Sequence, residues 1–571
     1  MIKRPWVRLY LAILMVLFGG CSWFSTSPSL PKGYLIPSEQ PPSTVISELV
    51  FLVADNQLHN VYGEPVHLLR SELADKIVPT AIRPVQLDFY GQDFLMWLVE
   101  SRGKRYRIVH IGDACDFSCT GEFKRFLEIM SEAKKGWVML PGNHDGFFFG
   151  NEHRDPANDD WRAACSNAGD PMTKDLFVRL YLAVLVLQQG PGYRALARSF
   201  GLDQLDHADL EQILSLIPDK GDWRYDDKPG GDHPFLRAVS WRIDEEHPWR
   251  SFVVQEVDTT LKNSQPANTV PGGEISVRAI LLDTAQYDSA PRLVQFPPHI
   301  FNAGLTGELL PDQLDIVLKW LKVNPDRVWT LVGHHPFDSL TQRTQEALDS
   351  LRRGFRIRLY VSAHTHAGQF MVHGTGEDKW LELNVGSILD WSLEIRTLQF
   401  FSVGERLMLR SPRYTMHELL RDLEGVPQNE EEWEAKPHED DYYLRHEDLK
   451  YLDAHKTELR LKNTLLAAHH RLLRFNPTQP GASPTAPFWP PGCKRDQDVL
   501  EKIRNIIEHK RLDEKIAFLV ALDHFERERP VEDPEKRSKF RLSQAIWASK
   551  YDSVHARKPL TDDWFIIFSQ E

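Results

Sequence analysis

The feature that most constrains the fold of this chain is a series of short apolar segments, each of which ends at a polar residue. These segments are predicted to be buried β-strands, because they are short, rich in Val, Ile and Leu, and followed by turn-forming residues. They lie at 48–54, 107–111, 137–140, 277–282, 328–332 and 358–361. Helical patterns at 121–135 and 311–323 fit the crossover connections of an α/β fold. Since ligands of such sheets bind at the carboxyl ends of the strands, the polar residues are predicted to form a site.

The polar residues at these strand ends supply carboxylates, an amide oxygen and imidazoles. They comprise Asp55-Asn56-Gln57, Gly112-Asp113-Ala114-Cys115-Asp116, Gly142-Asn143-His144-Asp145, Gly333-His334-His335 and Ala363-His364-Thr365-His366. A single Asp at a strand end is usually a turn or cap residue, but the joint occurrence of these groups favours a metal site. The donor mixture suits two borderline divalent ions such as Mn, Fe or Zn. Two ions about 3.5–4 Å apart can hold the attacking and leaving oxygens of an in-line displacement.

The series resembles the signature of the calcineurin-like metallophosphoesterases, whose pattern is D-x-H, G-D-x-x-D, G-N-H-D/E, a later His and G-H-x-H. The resemblance covers about residues 48–403 without the insert described below. It implies a four-layer α/β/β/α sandwich, in which two mixed sheets pack face to face between helices. It also implies a metal-dependent hydrolase of phosphate ester or pyrophosphate bonds, with a hydroxide shared by the metals as the nucleophile.

The resemblance implies a role for each matching residue. Asp113 would bridge the two ions. The other ligands would be Asp55 and His366 for the first ion, and Asn143, His334 and His364 for the second. His144 would protonate the leaving oxygen as a general acid. Asp116 would hydrogen-bond to His144 and fix its tautomer.

The chain departs from the family pattern at the first motif, where Gln57 stands in place of His. Two-residue alternation puts Gln57 on the same side as Asp55, and its amide oxygen can hold the first ion, more weakly than imidazole for a soft metal. His59 is the competing ligand if the loop turns it inward. The second departure, Ala363 in place of Gly, adds one methyl group. A weakened first site leaves an alternative function, that of a catalytically degenerate scaffold or binding protein of the cell envelope.

The N-terminal residues 1–20 have the pattern of a secretory signal, because basic residues precede an apolar run at 9–18 that is too short to span a bilayer. Phe18-Gly19-Gly20-Cys21 resembles a bacterial lipobox, whose Cys is lipidated after cleavage. This implies an exported lipoprotein of the bacterial cell envelope, anchored to a membrane through Cys21 and facing the periplasm.

Composition divides the remaining chain. The predicted divisions are a Pro- and Ser-rich linker at 21–47, a metallophosphoesterase domain at 48–411 with a helical insert at about 150–271, and a C-terminal helical region at 412–571. The formal net charge of −13 argues against nucleic acid as a partner, because phosphate backbones are held by Lys and Arg. The expected partner is therefore a phosphorylated small-molecule or lipid-linked substrate.

Apart from Cys21, the chain has four cysteines, Cys115, Cys119, Cys165 and Cys493. An exported protein meets an oxidising compartment, in which disulfides form and persist. The sequence permits disulfides among these residues and leaves their pairing open.

Overall fold

The structure of the chain is a computed structural model. It describes residues 44–58, 94–146, 165, 169–188, 190–202, 210–226, 234–261, 276–289, 306–325, 327–366, 368–375, 378–388, 394–403, 406–415 and 565–569. The predicted signal segment, Cys21, His59, Cys493 and most of the C-terminal region lie outside the described residues.

Sixteen strands and six helices are bounded within the described residues. The strands are β1 (Thr44–Val45), β2 (Val50–Val53), β3 (Arg107–Ile111), β4 (Trp137–Leu140), β5 (Lys220–Arg224), β6 (Leu236–Arg242), β7 (Phe252–Asp258), β8 (Val277–Leu281), β9 (Val328–Val332), β10 (Leu359–Ser362), β11 (Gln369–His373), β12 (Trp380–Asn384), β13 (Glu394–Val403), β14 (Arg406–Arg410), β15 (Arg413–Thr415) and β16 (Phe565–Ser569). The helices are α1 (Thr120–Met130), α2 (Lys174–Leu187), α3 (Pro191–Ser199), α4 (Leu210–Leu216), α5 (Pro311–Val323) and α6 (Gln342–Gly354). Residues 94–101 are also helical, and short 3₁₀ turns span Pro248–Arg250 and Phe337–Ser339.

The strands form two mixed sheets of eight strands each. In the first sheet the order is β16-β14-β13-β2-β3-β4, with β1 and β15 also paired to β13, and β2, β3 and β4 are parallel. In the second sheet the order is β11-β12-β10-β9-β8-β7-β6-β5, and β8, β9, β10 and β12 are parallel. Parallel pairing brings the carboxyl ends of these strands to one edge of each sheet, as predicted.

The two sheets share one hydrophobic core. Val53 and Leu140 of the first sheet belong to the same buried cluster as Val257 and Val361 of the second. A further buried cluster joins the second sheet to α5 and α6, for example through Trp320. On the first sheet, the ring of Phe126 in α1 packs edge-on against His110 and Trp137. Two sheets packed together with helices against them confirm the predicted α/β sandwich.

The bounds of several strands and one helix agree with those predicted from the sequence. The ranges of β3, β4, β9 and α5 coincide with the predicted ones. Pro311 at the first turn of α5 has a φ suited to a helix start, and Asp312 complements the helix dipole. Helix α1 ends five residues before the predicted position 135, because the chain turns through residues 131–136 and enters β4 after Gly136 with φ 102°.

The segment predicted to be a helical insert differs from expectation. It does contain helices α2, α3 and α4, but it also supplies β5, β6 and β7, which extend the second sheet from β8 by antiparallel pairing. Every residue of β7 is buried, so its apolar positions serve both faces of the sheet. This part of the segment is therefore continuous with the sandwich.

The segments on either side of the predicted domain also differ from the prediction, because both contribute strands to the first sheet. Thr44 and Val45, within the predicted linker, pair with β13. Strand β16 lies in the region predicted to be helical, and it pairs antiparallel with β14. The helices predicted for residues 416–564 lie outside the described residues. Within the part of the chain that the structure describes, no helix combines the length and apolar character needed to cross a bilayer.

One disulfide connects the N-terminal end of α1 to the segment after β4. It joins Cys119 to Cys165, whose Cα atoms are 5.5 Å apart. Cys115 is buried and keeps its thiol. Of the pairings that the sequence left open, the structure therefore contains this one.

Candidate metal centre

The residues after the strands adopt an unusual backbone conformation. Asp55, Gln57 and Asp113 have φ values of 51°, 37° and 56°, and His364 and His366 have 68° and 59°. Non-glycine residues in this left-handed region cost about 1–3 kcal/mol each and persist only where surrounding contacts impose them. Such strain is found at functional sites, and these five residues all belong to the predicted site.

Asp113 stands at the centre of two groups of potential ligand atoms. In one group, the side chains of Asp113, His334 and His364 offer atoms that all lie within 4.8 Å of one another. In the other group, the same holds for Asp55, Asp113 and His366. A carboxylate shared by two such groups is the arrangement that a pair of cations requires. The structure thus brings the predicted ligands together, and their binding of metal stays a prediction.

His334 has a fixed orientation. Its Nδ1 lies 2.8 Å from the carbonyl oxygen of Ile111, so Nδ1–H donates and Nε2 faces the site. Nε2 lies 3.3 Å from Asp113 Oδ2 and 3.1 Å from the side-chain oxygen of Asn143. Gly112, with φ 87°, makes room for this ring, because a Cβ there would lie 2.6 Å from Nδ1. Asn143 therefore completes the group that contains His334.

The electrostatics of the centre favour an ionised Asp113. Burial raises the pKa of Asp113, but His334 and His144 lower it more, so it lies well below its usual value. Burial lowers the pKa of His334, but Asp113 raises it more, to about 9. Burial and the neighbouring His335 hold the pKa of His364 well below its usual value. A cation among these groups would compete with the proton of His334.

Gln57 lies inside the centre. Its side chain is fully buried, and its Nε2 is 3.4 Å from Asp113 Oδ2. Its amide oxygen is buried and has no hydrogen-bond partner among the described residues. An unpaired buried acceptor costs about 1–3 kcal/mol, unless a further group binds it. Carboxylate, amide and imidazole donors together with this oxygen fit divalent cations.

The ring of His144 lies beside the shared carboxylate. Its backbone N–H donates to Asp113 Oδ1 over 2.9 Å. The prediction that the Asp116 carboxylate hydrogen-bonds to His144 is corrected, because the backbone oxygen of Asp116 makes this contact instead. His144 Nδ1 lies 2.7 Å from the backbone oxygen of Asp116 and 3.6 Å from its carboxylate. The hydroxyl of Ser118, in the same loop, accepts a hydrogen bond from the Gly146 N–H and donates one to the Met172 carbonyl.

Asp145 organises the centre, although the family resemblance assigned it no role. Its Oδ1 accepts hydrogen bonds from the N–H groups of Ala114 and Cys115, at 2.9 and 3.1 Å, and its Oδ2 accepts one from Gly142 at 3.0 Å. Burial and the nearby Asp113 raise the pKa of Asp145 to about 7. The signal for this residue was the last position of the G-N-H-D motif. Asp145 ties the two motif loops together.

Two buried polar residues, His110 and Asn56, also connect the first two motif loops. His110 donates from Nε2 to the side-chain oxygen of Asn56, whose amide donates to the Ala114 carbonyl over 2.9 Å. Burial lowers the pKa of His110 to about 3, so it is neutral. The first two motif loops are therefore joined through neutral hydrogen bonds.

The segments that follow β9 and β10, which carry the imidazoles of the site, are hydrogen-bonded to side chains of β12. The buried Glu382 accepts hydrogen bonds from the Ser362 hydroxyl at 2.5 Å and from the Phe337 N–H at 3.1 Å, and His373 Nε2 lies 2.7 Å from it. Asn384 donates to the Ala363 carbonyl over 2.6 Å and accepts from the Thr365 hydroxyl. Glu382 thus contacts both the loop after β9 and the end of β10, which carry the imidazoles.

Two polar strand-end residues lie near the centre without joining the ligand groups. Asp283, after β8, forms a fully buried ion pair with Lys174, with Nζ 2.8 Å from Oδ1. Asp283, which was not among the predicted ligands, therefore has a structural partner. His335 packs its ring 4.7 Å from that of His364, and its Nδ1 lies 2.9 Å from the Thr284 hydroxyl.

Residues 88–259 match the family model for calcineurin-like phosphoesterases. The matched range covers under a third of the chain. It includes Asp113 and Asn143, whereas Asp55, His334 and His364 lie outside it. None of the curated proteins matches the chain.

The chain is also similar to two solved structures. GAP50, the anchor in the inner membrane complex of Plasmodium, is 10% identical, with 65% of this chain and 85% of that chain covered and a TM-score of 0.29. TT1561 of Thermus thermophilus is 9% identical, with 62% of this chain and 94% of that chain covered and a TM-score of 0.24.

Proposed function

We propose that this chain is a hydrolase of phosphate ester or pyrophosphate bonds that depends on two divalent metal ions. The observation that carries the proposal is the position of Asp113 in both groups of potential ligands. The match of residues 88–259 to phosphoesterases supports the same chemistry. When bound, such ions neutralise charge on phosphoryl oxygens and make hydroxide available near neutral pH.

Four side chains would hold each ion, and Asp113 would belong to both sets. The first ion would be held by Asp55, Gln57, Asp113 and His366, and the second by Asp113, Asn143, His334 and His364. The low pKa of Asp113 keeps this carboxylate charged at neutral pH. His144 would act as the general acid, with Nδ1 donating to the Asp116 carbonyl and Nε2 transferring the proton. The substrate would be a phosphorylated small molecule or a lipid-linked phosphate.

The change His144→Gln is expected to lower kcat/KM for phosphate monoesters by about 10²–10⁴-fold, because a general acid contributes about that much. The loss should be larger for methyl phosphate than for p-nitrophenyl phosphate, whose leaving group needs less protonation. Steady-state kinetics with Mn²⁺, Fe²⁺ or Zn²⁺ measure both losses, and elemental analysis should show unchanged metal content.

His247→Gln is the matched control, because the His247 side chain is 40% exposed and belongs to neither group. Equal kcat/KM values for the wild type and His144→Gln would show that His144 is not the general acid. A wild-type protein that binds none of these metals and hydrolyses no phosphoester would favour the scaffold function, for which Gln57 is the supporting feature.

We also propose that the protein is exported and held at a bacterial membrane by a lipid on Cys21. The Cys119–Cys165 disulfide supports export, because disulfides persist in oxidising compartments. Cys21→Ser is expected to end labelling by radioactive palmitate and to move the protein from the membrane to the soluble fraction, with Cys493→Ser as the control. Unchanged labelling and fractionation would contradict the lipid anchor.

A further inference from the structure

The two groups around Asp113 differ in their donor atoms. With Gln57 and Asn143 included, the first offers three oxygen ligands and one imidazole, and the second offers two of each. Carboxylate and amide oxygens suit hard ions such as Mg²⁺ and Mn²⁺, whereas imidazole suits Zn²⁺ and Fe²⁺. The first position is therefore the harder site, and Gln57 is the residue that makes it so.

Gln57 is placed to act as a ligand. It is fully buried and held next to Asp113 by a backbone with φ 37°. Its amide nitrogen faces Asp113 Oδ2 at 3.4 Å, which is a long contact for a hydrogen bond to a carboxylate. Its oxygen has no hydrogen-bond partner among the described residues. Rotation about the last side-chain bond exchanges the two ends, and a cation beside Asp113 would favour the oxygen.

We propose, on the basis of the function proposed above, that Gln57 makes the first site selective for a hard divalent ion, so that the chain holds a mixed pair. Mn²⁺ or Mg²⁺ occupies the first site beside Asp55, and Zn²⁺ or Fe²⁺ occupies the second beside His334 and His364. An imidazole in place of Gln57 makes the two sites alike and removes the selectivity.

Metal-free full-length protein dialysed against Mn²⁺ in excess over Zn²⁺ tests this inference, because at equal concentrations Zn²⁺ binds most nitrogen and oxygen sites more tightly than Mn²⁺. Elemental analysis should give about one ion of each metal per wild-type chain, with the Mn²⁺ visible by electron paramagnetic resonance. Gln57→His should raise the Zn²⁺ affinity of the first site by about tenfold or more, which is about 1.4 kcal/mol, and replace the Mn²⁺. Gln57→Glu, with nearly the same shape, should raise the affinity for Mn²⁺ instead.

Gln342→His is the control, because Gln342 is exposed on α6, belongs to neither ligand group, and its amide donates to the Glu346 carboxylate. The inference is overturned if neither Gln57 variant changes the ratio of Mn²⁺ to Zn²⁺. Metal binding and hydrolysis by the wild type would then leave the proposed function standing. Failure of the wild type to bind any metal would instead overturn the proposed function itself.

Discussion

Replacement of Asp113 by Asn is expected to remove both metal ions and to lower kcat/KM for p-nitrophenyl phosphate by about a thousandfold or more. Asp113 offers a carboxylate oxygen to each of the two ligand groups, so one substitution weakens both sites. Asn keeps the shape and the acceptor for His144 N–H, but it lacks the charge that two cations share. Elemental analysis and steady-state kinetics on the same samples measure the two effects.

The comparison with single-site variants makes this prediction specific. Asp55→Asn and Asn143→Ala should each reduce the occupancy of one site, because each side chain belongs to one group only. Asp170→Asn is the control, because Asp170 is exposed and only its backbone makes described hydrogen bonds, both with Thr120. If Asp113→Asn retains both ions, the shared carboxylate is not a bridge and the proposed chemistry fails.

The sequence predicted the strands well because their signal is local. The apolar runs of β3 and β4 are buried on both faces and are bounded by Gly and Pro, so their ends are visible in the sequence. The convergence of their polar ends follows from parallel pairing, which needs no knowledge of side-chain contacts. Parallel pairing accounts for Asp113 and Asn143, which follow neighbouring strands, whereas His334 follows a strand of the second sheet and was placed with them by the family resemblance.

Other features depend on contacts that no local pattern records. Gln57 reaches the centre, but the predicted strand alternation is not the reason, since β2 ends at Val53 and Gln57 has a left-handed backbone. His144 Nδ1 lies 2.7 Å from the backbone oxygen of Asp116 and 3.6 Å from its carboxylate, and no local sequence pattern indicates which oxygen makes the hydrogen bond. Strands β5, β6 and β7 were missed because an apolar helix, α2, dominates the composition of that segment.

Asp283 illustrates the same limit on prediction. Its position after β8 matches that of the site residues, and the sequence does not distinguish a ligand from one member of an ion pair. Its partner Lys174 lies 109 residues earlier in the chain, at the start of α2. Lys174 also donates to the Ala285 carbonyl over 3.1 Å, and Asp283 Oδ2 accepts from Val253 N–H. The pair therefore joins α2 to the strands β7 and β8.

Replacement of Lys174 by Met is expected to lower the free energy of unfolding by about 3–5 kcal/mol, because it leaves the buried Asp283 charge without a partner. Both side chains are fully buried. Burial lowers the pKa of Lys174 and raises that of Asp283, so each charge in the pair depends on the other. Urea denaturation followed by circular dichroism measures the loss as a lower transition midpoint.

Lys319→Met is the matched control, because it breaks the exposed pair between Lys319 and Asp222, whose side chains are 67% and 40% exposed. Exposed pairs contribute about 0–1 kcal/mol, so this variant should unfold close to the wild type. The double change Lys174→Met with Asp283→Asn should recover much of the loss, because no lone charge then remains buried. If Lys174→Met costs no more than Lys319→Met, the buried pair does not hold α2 against the second sheet.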